Sequence, residues 1–313
     1  MLNYKQRHFD TAQEIWDAIR PEEINNQIGD DLNPIFRGQG NADWKLSPNA
    51  SRTAVDITIR DQVKFEVQML VHFLEYCDKT GIQVPGHIAS TKKSLDEMLS
   101  GANDKDLFEW PTDKYHEILA FAQHYGVSTR LLDWSKRSFI AAYFSSSEAV
   151  KGIADAIVKN TKPDLKQRLA IWILESKKVY NHNTQFNYSS NRSLIPFDII
   201  SIPSNVNFHI AAQQGCFTIF RHVSKEINDN DDEWFCKPLE FSKDKTLDTT
   251  NLNYSKYLHK WTLPYSEAHK LLKLCELYNV NAASVYPTAT GVGYAVKDLM
   301  NIQVIEKYLS SIT

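Results

Sequence analysis

The sequence predicts an α+β fold, in which a helical N-terminal half packs on a strand-rich C-terminal half that forms a mixed or antiparallel β-sheet. Residues 60–79 repeat apolar side chains every three or four positions, as an amphipathic helix does. Residues 169–174 and 216–220 are compact apolar runs of the kind that form buried strands. Helical and strand patterns do not alternate in the strict order of a doubly wound parallel sheet, so the α+β class fits best.

The helices are predicted from capping residues, stop signals and apolar periodicity. Thr11 and Glu14 form a capping-box pattern that opens the first helix, while Gly81 and Gly126 are stop signals for the second and fourth. In chain order, the predicted helices are a short one through residue 18, then 60–79, a polar one within 92–106, 111–125, 138–150, 266–278 and a closing helix from Tyr294.

The strands are predicted from short apolar or β-branched runs that are bounded by turn residues. Residues 35–37 form such a run and end at Gly38. The other predicted strands are 169–174, 216–220 and 256–263, and a short element is expected at 284–286. Residues 180–192 are rich in Asn and Ser, which predicts a loop.

Size and composition indicate one folded domain. The chain has 313 residues, of which 42% are hydrophobic, and this is enough apolar material for a sizeable core. An aromatic content of 12% argues against disorder, because aromatic rings need burial. No internal repeat and no Pro/Gly/Ser-rich linker interrupts the sequence, so we predict a single domain over residues 1–313.

Charge and cysteine usage predict a cytoplasmic protein without a metal or membrane partner. The net charge of -3 gives no overall attraction to nucleic-acid backbones. The N-terminus lacks the apolar core of a signal peptide, and no segment is apolar enough to span a bilayer. Four widely separated cysteines match no metal-ligand spacing, and Cys77 and Cys275 are expected to be buried, reduced thiols.

The common nucleotide-binding and hydrolase motifs are absent from the sequence, and three polar clusters remain as site candidates. The first is Arg37 with Gly38, at the end of a predicted strand. A guanidinium there is costly to bury unless it meets an anion or a carboxylate, and glycine lets backbone approach closely. A ligand anion and a structural ion pair, for example with Asp133, explain this cluster equally well.

The second cluster is residues 123–134, which place polar side chains at one helix-to-strand junction. Arg130 can hold a phosphate bidentately, and His124 or Thr129 can bond a ribose or an amide. The alternative is a corner that Asp133 joins to Arg130 or Arg37. A corner needs only one such pair, so the density of polar groups favours a site.

The third cluster is Gln213-Gln214-Gly215, directly before the strand at 216–220. Glutamine amides at a strand entrance can hydrogen-bond a ligand. They can equally cap exposed backbone groups of the protein itself.

At these clusters the chain resembles the FRG-domain family, whose name matches Phe36-Arg37-Gly38. The similarity spans a core of about residues 35–299, which leaves residues 1–30 as a helical N-terminal extension. The motifs that carry it are Trp44-Lys45-Leu46-Ser47-Pro48 with Arg52, Gln123-His124-Tyr125-Gly126, residues 129–135, Ala141-Ala142-Tyr143-Phe144, residues 212–217 and Val285-Tyr286-Pro287.

The resemblance implies a bacterial or phage protein connected with defence or mobile elements. Its order of motifs is similar to that of ADP-ribosyltransferases, which implies a split sheet and NAD as the substrate. On that analogy Arg37 holds the phosphate or ribose of NAD, and Ser128 and Thr129 steady its nicotinamide side. Tyr143 is the candidate for stacking on the nicotinamide.

The sequence departs from the transferase pattern at one position. Where transferases carry a catalytic glutamate, this chain offers Gln214, which cannot supply the negative charge that stabilises an oxocarbenium-like transition state. Asp133 is the only acid within the motifs. The candidate catalytic residues are Arg37, His124, Asp133 and Gln214, and the candidate ligand-binding residues are Gly38, Ser128, Thr129, Arg130, Tyr143 and Gln213.

Three functional hypotheses follow. The first is an ADP-ribosylating or NAD-processing effector that modifies a protein or nucleic-acid target. The second is a non-catalytic module that senses a nucleotide or another phosphorylated small molecule. In the third, Arg37, Arg130 and Asp133 form a buried ionic network that serves the fold alone.

Overall fold

A computed structural model describes residues 4–29, 33–52, 59–86, 88–101, 109–190, 197–203, 208–221 and 254–312. Parts of the predictions for residues 92–106 and 180–192, and the whole of Cys236, lie outside these ranges. The strands are β1 (Lys5–His8), β2 (Ile35–Gln39), β3 (Leu132–Ser135), β4 (Arg168–Leu174), β5 (Phe197–Ile200), β6 (Gly215–Phe220) and β7 (Leu258–Pro264).

The α-helices are more numerous than the sequence predicts. They are α1 (Ala12–Ala18), α2 (Ile24–Ile28), α3 (Asn49–Arg52), α4 (Ile59–Thr80), α5 (Ile88–Ser100), α6 (His116–His124), α7 (Ser138–Val158), α8 (Ser176–Ser190), α9 (Phe208–Gln213), α10 (Tyr265–Leu277), α11 (Ala282–Val285) and α12 (Ala289–Ile312). Short 3-10 helices precede α6 (Asp113–Tyr115) and β7 (Tyr254–Tyr257).

The seven strands form one mixed sheet in the order β1-β7-β4-β2-β3-β6-β5. Among the strand pairs of the described residues, β1 runs parallel to β7 and the other five pairs are antiparallel. The predicted α+β class and mixed sheet are therefore confirmed. Because β1, β2 and β3 all precede residue 136, the sheet draws strands from both halves of the chain, and the N-terminal half is not purely helical.

The sheet is weakly joined at its centre. Strands β2 and β3 share a single residue pair, Phe36 with Ser135, whereas β2 and β4 share five pairs and β3 and β6 share four. This seam divides a four-stranded part from a three-stranded part. Because β2 and β3 share so few backbone hydrogen bonds, side chains from both strands can enter the space between them.

Both faces of the sheet are buried. Along β4, Ile171 and Ile173 face a core formed with α1, α7 and α10, whereas Trp172 and Leu174 face the core on the opposite side. This alternation is the period of two that a strand imposes on its side chains. A further core joins α4, α5 and α6 to the β6 residues Phe217 and Ile219. Cys77 and Cys275 are buried free thiols, as predicted.

The predicted loop at residues 180–192 is wrong over its described part, because residues 176–190 form α8. Asn and Ser are poor helix formers, but tertiary contacts override that preference here. The Asn183 amide donates to the Phe197 carbonyl at 3.0 Å and accepts from the Tyr254 hydroxyl at 2.8 Å. Val179 on the same helix is fully buried.

Other differences concern element ends and short elements. Helix α7 runs eight residues beyond its predicted end at Val150, and the closing helix begins at Ala289 instead of Tyr294. The short element near residue 285 is the helix α11, which Asn281 caps. Strand β1 has four exposed polar residues, so it shows no apolar alternation that sequence reasoning can detect.

Gly38 allows α7 to pack directly on β2. A Cβ atom at Gly38 would lie 2.0 Å from the Ala141 carbonyl oxygen and 2.7 Å from the Ser145 nitrogen, both of them backbone atoms of α7. We expect Gly38→Ala to lower the free energy of unfolding by about 3 kcal/mol, since overpacking a rigid contact is destabilising.

Urea denaturation measures this loss, and Gly152→Ala is the matched control. Gly152 lies on α7 with no atom within 4 Å of its Cβ position, so alanine there is expected to be neutral or to stabilise by up to about 1 kcal/mol. Equal stabilities of the two variants would contradict the close packing at Gly38.

Candidate functional site

A cavity of about 540 Å³ opens at the seam between β2 and β3. Residues of β2, β3, β6, α3, α6, α7 and α9 line it, together with Tyr286 beyond α11. Its size lies within the range of small-molecule sites in proteins. The residues from the three predicted clusters that reach its wall are Arg37, Gly38, Gln123, His124, Asp133, Trp134, Gln213 and Gly215.

Arg37 crosses the seam from β2 to β3. Its Nη1 donates to the Asp133 backbone carbonyl at 2.8 Å and lies 3.7 Å from the Asp133 carboxylate. The Arg37 side chain is 17% exposed, whereas that of Asp133 is 62% exposed. The ion pair considered from the sequence therefore exists, but its acid is open to the cavity. An ion pair with so exposed a member contributes little to stability.

Gln123 holds the Asp133 carboxylate in place. Its amide nitrogen donates to Asp133 Oδ1 at 2.7 Å, and its amide oxygen accepts from the Thr129 hydroxyl. Thr129 also accepts from the Leu131 backbone nitrogen at 3.2 Å and is buried. Thr129 was predicted to contact the ligand, but the structure places it behind Gln123, where it fixes the direction of that amide. Ser128 is half-buried and does not line the cavity.

Glu148 is an acid of the cavity that the sequence motifs missed. It lies on α7, lines the cavity and accepts from the Gly40 backbone nitrogen at 2.8 Å. A Cβ atom at Gly40 would lie 2.6 Å from Glu148 Cγ, so glycine is what lets the chain approach this carboxylate. Helical spacing could have identified Glu148 from the sequence. It lies four residues after Phe144, which also lines the cavity, and residues four apart share one face of a helix.

Tyr286 and Cys216, two further titratable groups of the wall, stay protonated at neutral pH. Burial, followed by the nearby Asp133 carboxylate, raises the pKa of Tyr286 to about 12, so its hydroxyl remains a hydrogen-bond donor. Burial also raises the pKa of the Cys216 thiol to about 12. Cys216 is therefore a poor nucleophile, since the thiolate is the reactive form. His124 is exposed, with its ring edge-on to Tyr125 at 5.0 Å.

Arg130 does not reach the cavity, although the sequence suggested a phosphate contact. Its side chain is 3% exposed, and its Nε lies 2.6 Å from Glu66 Oε2 on α4. It also donates to the carbonyl oxygens of Trp110 and Phe220. Arg130 thus belongs to a buried network with Glu66, and this network is separate from the Arg37–Asp133 pair. The single ionic network of the third hypothesis is wrong.

Two further candidates lie outside the cavity wall. The buried Tyr143 hydroxyl donates to Asp298 on α12 at 3.0 Å, so it fixes one helix to another. Gln214 is exposed and has a left-handed backbone (φ of 45°) in the turn before β6. Its neighbour Gln213 does line the cavity and donates to the Val285 carbonyl at 3.4 Å. The structure therefore brings Gln213, not Gln214, to the site.

Among the described residues, no cluster of three His, Cys, Asp or Glu side chains is arranged to hold a metal ion. None of the helices in that part of the chain has the length and apolar content that a membrane span requires. For ligand binding, the wall of the seam cavity presents one guanidinium, that of Arg37, two carboxylates, those of Asp133 and Glu148, and several neutral hydrogen-bonding groups.

Comparison with known proteins gave one match. No curated protein and no solved structure matches the chain. The model of the FRG domain matches residues 33–152, which include Arg37, Gln123, Asp133 and Glu148. Those four residues meet at the seam cavity. The chain accordingly contains an FRG domain, at residues 33–152.

Proposed function

We propose that the seam cavity binds NAD or a closely related dinucleotide and breaks its nicotinamide–ribose bond. One observation carries the proposal: the guanidinium of Arg37 and the carboxylates of Asp133 and Glu148 line the same cavity. A guanidinium can bind a pyrophosphate through paired N–H donors. A carboxylate stabilises the positive charge that develops on the ribose when such a bond breaks.

Glu148 supplies the negative charge that the sequence motifs lacked at the position of Gln214. Gln214 cannot provide a negative charge, but Glu148 can, and it lies on a helix that packs against β2 at Gly38. Its bond to the Gly40 nitrogen engages one oxygen, Oε2. We assign Glu148 as the group that stabilises the oxocarbenium-like ribose. Asp133, which Gln123 and Arg37 orient, is assigned to the ribose hydroxyls.

The proposed reaction balances without a further reagent. The bond between ribose C1′ and the pyridinium nitrogen breaks, and its electron pair leaves with neutral nicotinamide. A nucleophile then bonds to C1′ and loses its proton to solvent, directly or through a carboxylate of the site. Water as nucleophile gives ADP-ribose, and a group on a protein or nucleic acid gives an ADP-ribosylated target.

The weakly joined sheet supports a likeness to ADP-ribosyltransferases, because the single-pair seam divides it as a split sheet is divided. A transferase with a macromolecular target fits a cytoplasmic effector in bacterial or phage defence. That role belongs to the proposal and rests on the family resemblance.

Ligand-induced thermal stabilisation tests the binding part. Wild-type protein with NAD at 100 times its Kd is expected to gain about 2.7 kcal/mol of stability. Arg37→Ala is expected to lose most of this gain at the same NAD concentration, because the phosphate partner is removed. Lys151→Ala, an exposed cation on α7 outside the cavity, is the control and should keep it. Equal stabilisation of wild type and Arg37→Ala would exclude NAD binding at Arg37.

A second candidate is a sensing module that binds the dinucleotide without turnover. It is favoured by the contacts of Asp133, whose carboxylate is already held by Gln123 and Arg37. In that case NAD stabilises the protein and is recovered intact. Release of nicotinamide by the wild type would exclude this candidate.

A further inference from the structure

A second cavity, of about 590 Å³, lies beside the seam cavity and shares Phe36 with it. Their walls separate at the connection from β3 to α7. Ser135 faces the seam cavity, whereas Lys136 and Arg137 line the second one. None of the roles assigned above uses this second cavity.

One wall of the second cavity is cationic. Lys136 and Arg137 are both exposed, and within the described residues neither forms a salt bridge. Two adjacent cations that meet no acidic partner among the described residues favour an anion, and a phosphate can accept hydrogen bonds from both. The charge of this wall is therefore available to a ligand.

Other parts of the wall are apolar and aromatic, and one buried hydrogen-bond acceptor, on Asn25, has no donor within the described chain. Phe36, Phe139 and Ile35 supply apolar surface. The Phe139 ring is held by stacking on Trp16, with centroids 4.3 Å apart and planes 5° from parallel. Asn25 also lines the cavity, and within the described chain its buried Oδ1 has no hydrogen-bond partner. A buried acceptor without a donor is costly, so a rotation of the Asn25 side chain that turns this oxygen into the cavity would let a ligand N–H satisfy it.

We propose that the second cavity is a binding site for a nucleoside monophosphate. The phosphate binds Lys136 and Arg137, the planar base lies against the apolar wall, and an exocyclic amine of the base donates to Asn25. A nucleoside monophosphate therefore accounts for the cationic, aromatic and acceptor groups that line this one cavity. A simple anion would use the cations only, and a neutral apolar molecule would leave them unused.

Equilibrium dialysis with labelled AMP tests the proposal, because AMP carries a phosphate, a planar base and an exocyclic amine. Wild-type protein is expected to bind AMP at this site, and adenosine at least about tenfold more weakly, because it lacks the charged partner of the two cations. Lys136→Glu should weaken AMP binding at the site by about tenfold or more. Arg137→Glu should do the same, so the result does not depend on one variant.

Two controls locate the site. Lys151→Glu makes the same change in net charge on α7, the helix that follows Lys136 and Arg137, but lies at neither cavity, so AMP binding should be unchanged. Arg37→Ala removes the cation of the seam cavity and should leave the Lys136-dependent binding intact. The proposal is overturned if wild type binds no AMP, if Lys136→Glu and Arg137→Glu bind it like wild type, or if Arg37→Ala alone abolishes binding. None of these outcomes depends on NAD turnover.

Discussion

Replacing Glu148 with glutamine is expected to lower the rate of nicotinamide release from NAD by about 100- to 1000-fold. Glutamine keeps the size of the side chain and an oxygen that can accept from the Gly40 nitrogen, but it removes the negative charge. The lost interaction is made with the positive charge of the transition state. Binding of NAD should therefore stay within a few-fold of wild type, while kcat falls.

Steady-state assays of nicotinamide release measure both quantities for this variant. Glu117→Gln is the matched control, because Glu117 is an exposed acid on α6 that lies outside the cavity. Its kcat should equal that of wild type. If Glu148→Gln kept wild-type kcat, Glu148 would not be the charge-stabilising group, even though the cavity could still bind NAD.

Replacing Glu66 with glutamine is expected to lower the free energy of unfolding by about 3–5 kcal/mol, since it leaves a buried arginine without its counter-charge. Glu66 accepts from Arg130 at 2.6 Å, from the Trp110 indole at 2.9 Å and from Gln62 at 2.9 Å. A neutral amide cannot balance the charge of Arg130. Its NH₂ group would also face some of these donors.

Urea denaturation of Glu66→Gln measures the loss, and Glu97→Gln is the control. Glu97 pairs with Lys93 at 3.9 Å on the surface of α5, where such a pair contributes about 0–1 kcal/mol. A loss below 1 kcal/mol for Glu66→Gln would contradict the buried network. The folded variant should still gain stability from NAD, because Arg130 holds the fold together and does not line the cavity.

Periodicity and capping residues were sufficient to predict most of the long elements. The apolar stripe of α4 and the apolar runs of β4 and β6 appear where the sequence places them, because a buried face imposes its spacing on the chain. Helix α8 could not be predicted. Its stability depends on contacts of Asn183 with residues 14 and 71 positions away, and a local pattern does not contain them.

The site was predictable in its location but only partly in its members. Motif clusters around Arg37, Gln123 and Asp133 meet at the seam, since β2 and β3 are neighbours in the sheet. Arg130 and Glu148 show the limit of local reasoning. Arg130 lies close to Asp133 in sequence, but its partner Glu66 is 64 residues away and holds it elsewhere. Glu148 faces the seam because α7 packs on β2, a tertiary contact with no motif of its own.

The central claim is that the seam cavity binds NAD and cleaves its nicotinamide–ribose bond, and nicotinamide release tests it most directly. Purified wild-type protein is incubated with NAD labelled in the nicotinamide ring, and free nicotinamide is quantified over time. We expect release by wild type and at least about a 100-fold lower rate for Glu148→Gln. If wild-type protein released no nicotinamide and NAD did not raise its melting temperature, the assignment of this cavity to NAD would be wrong.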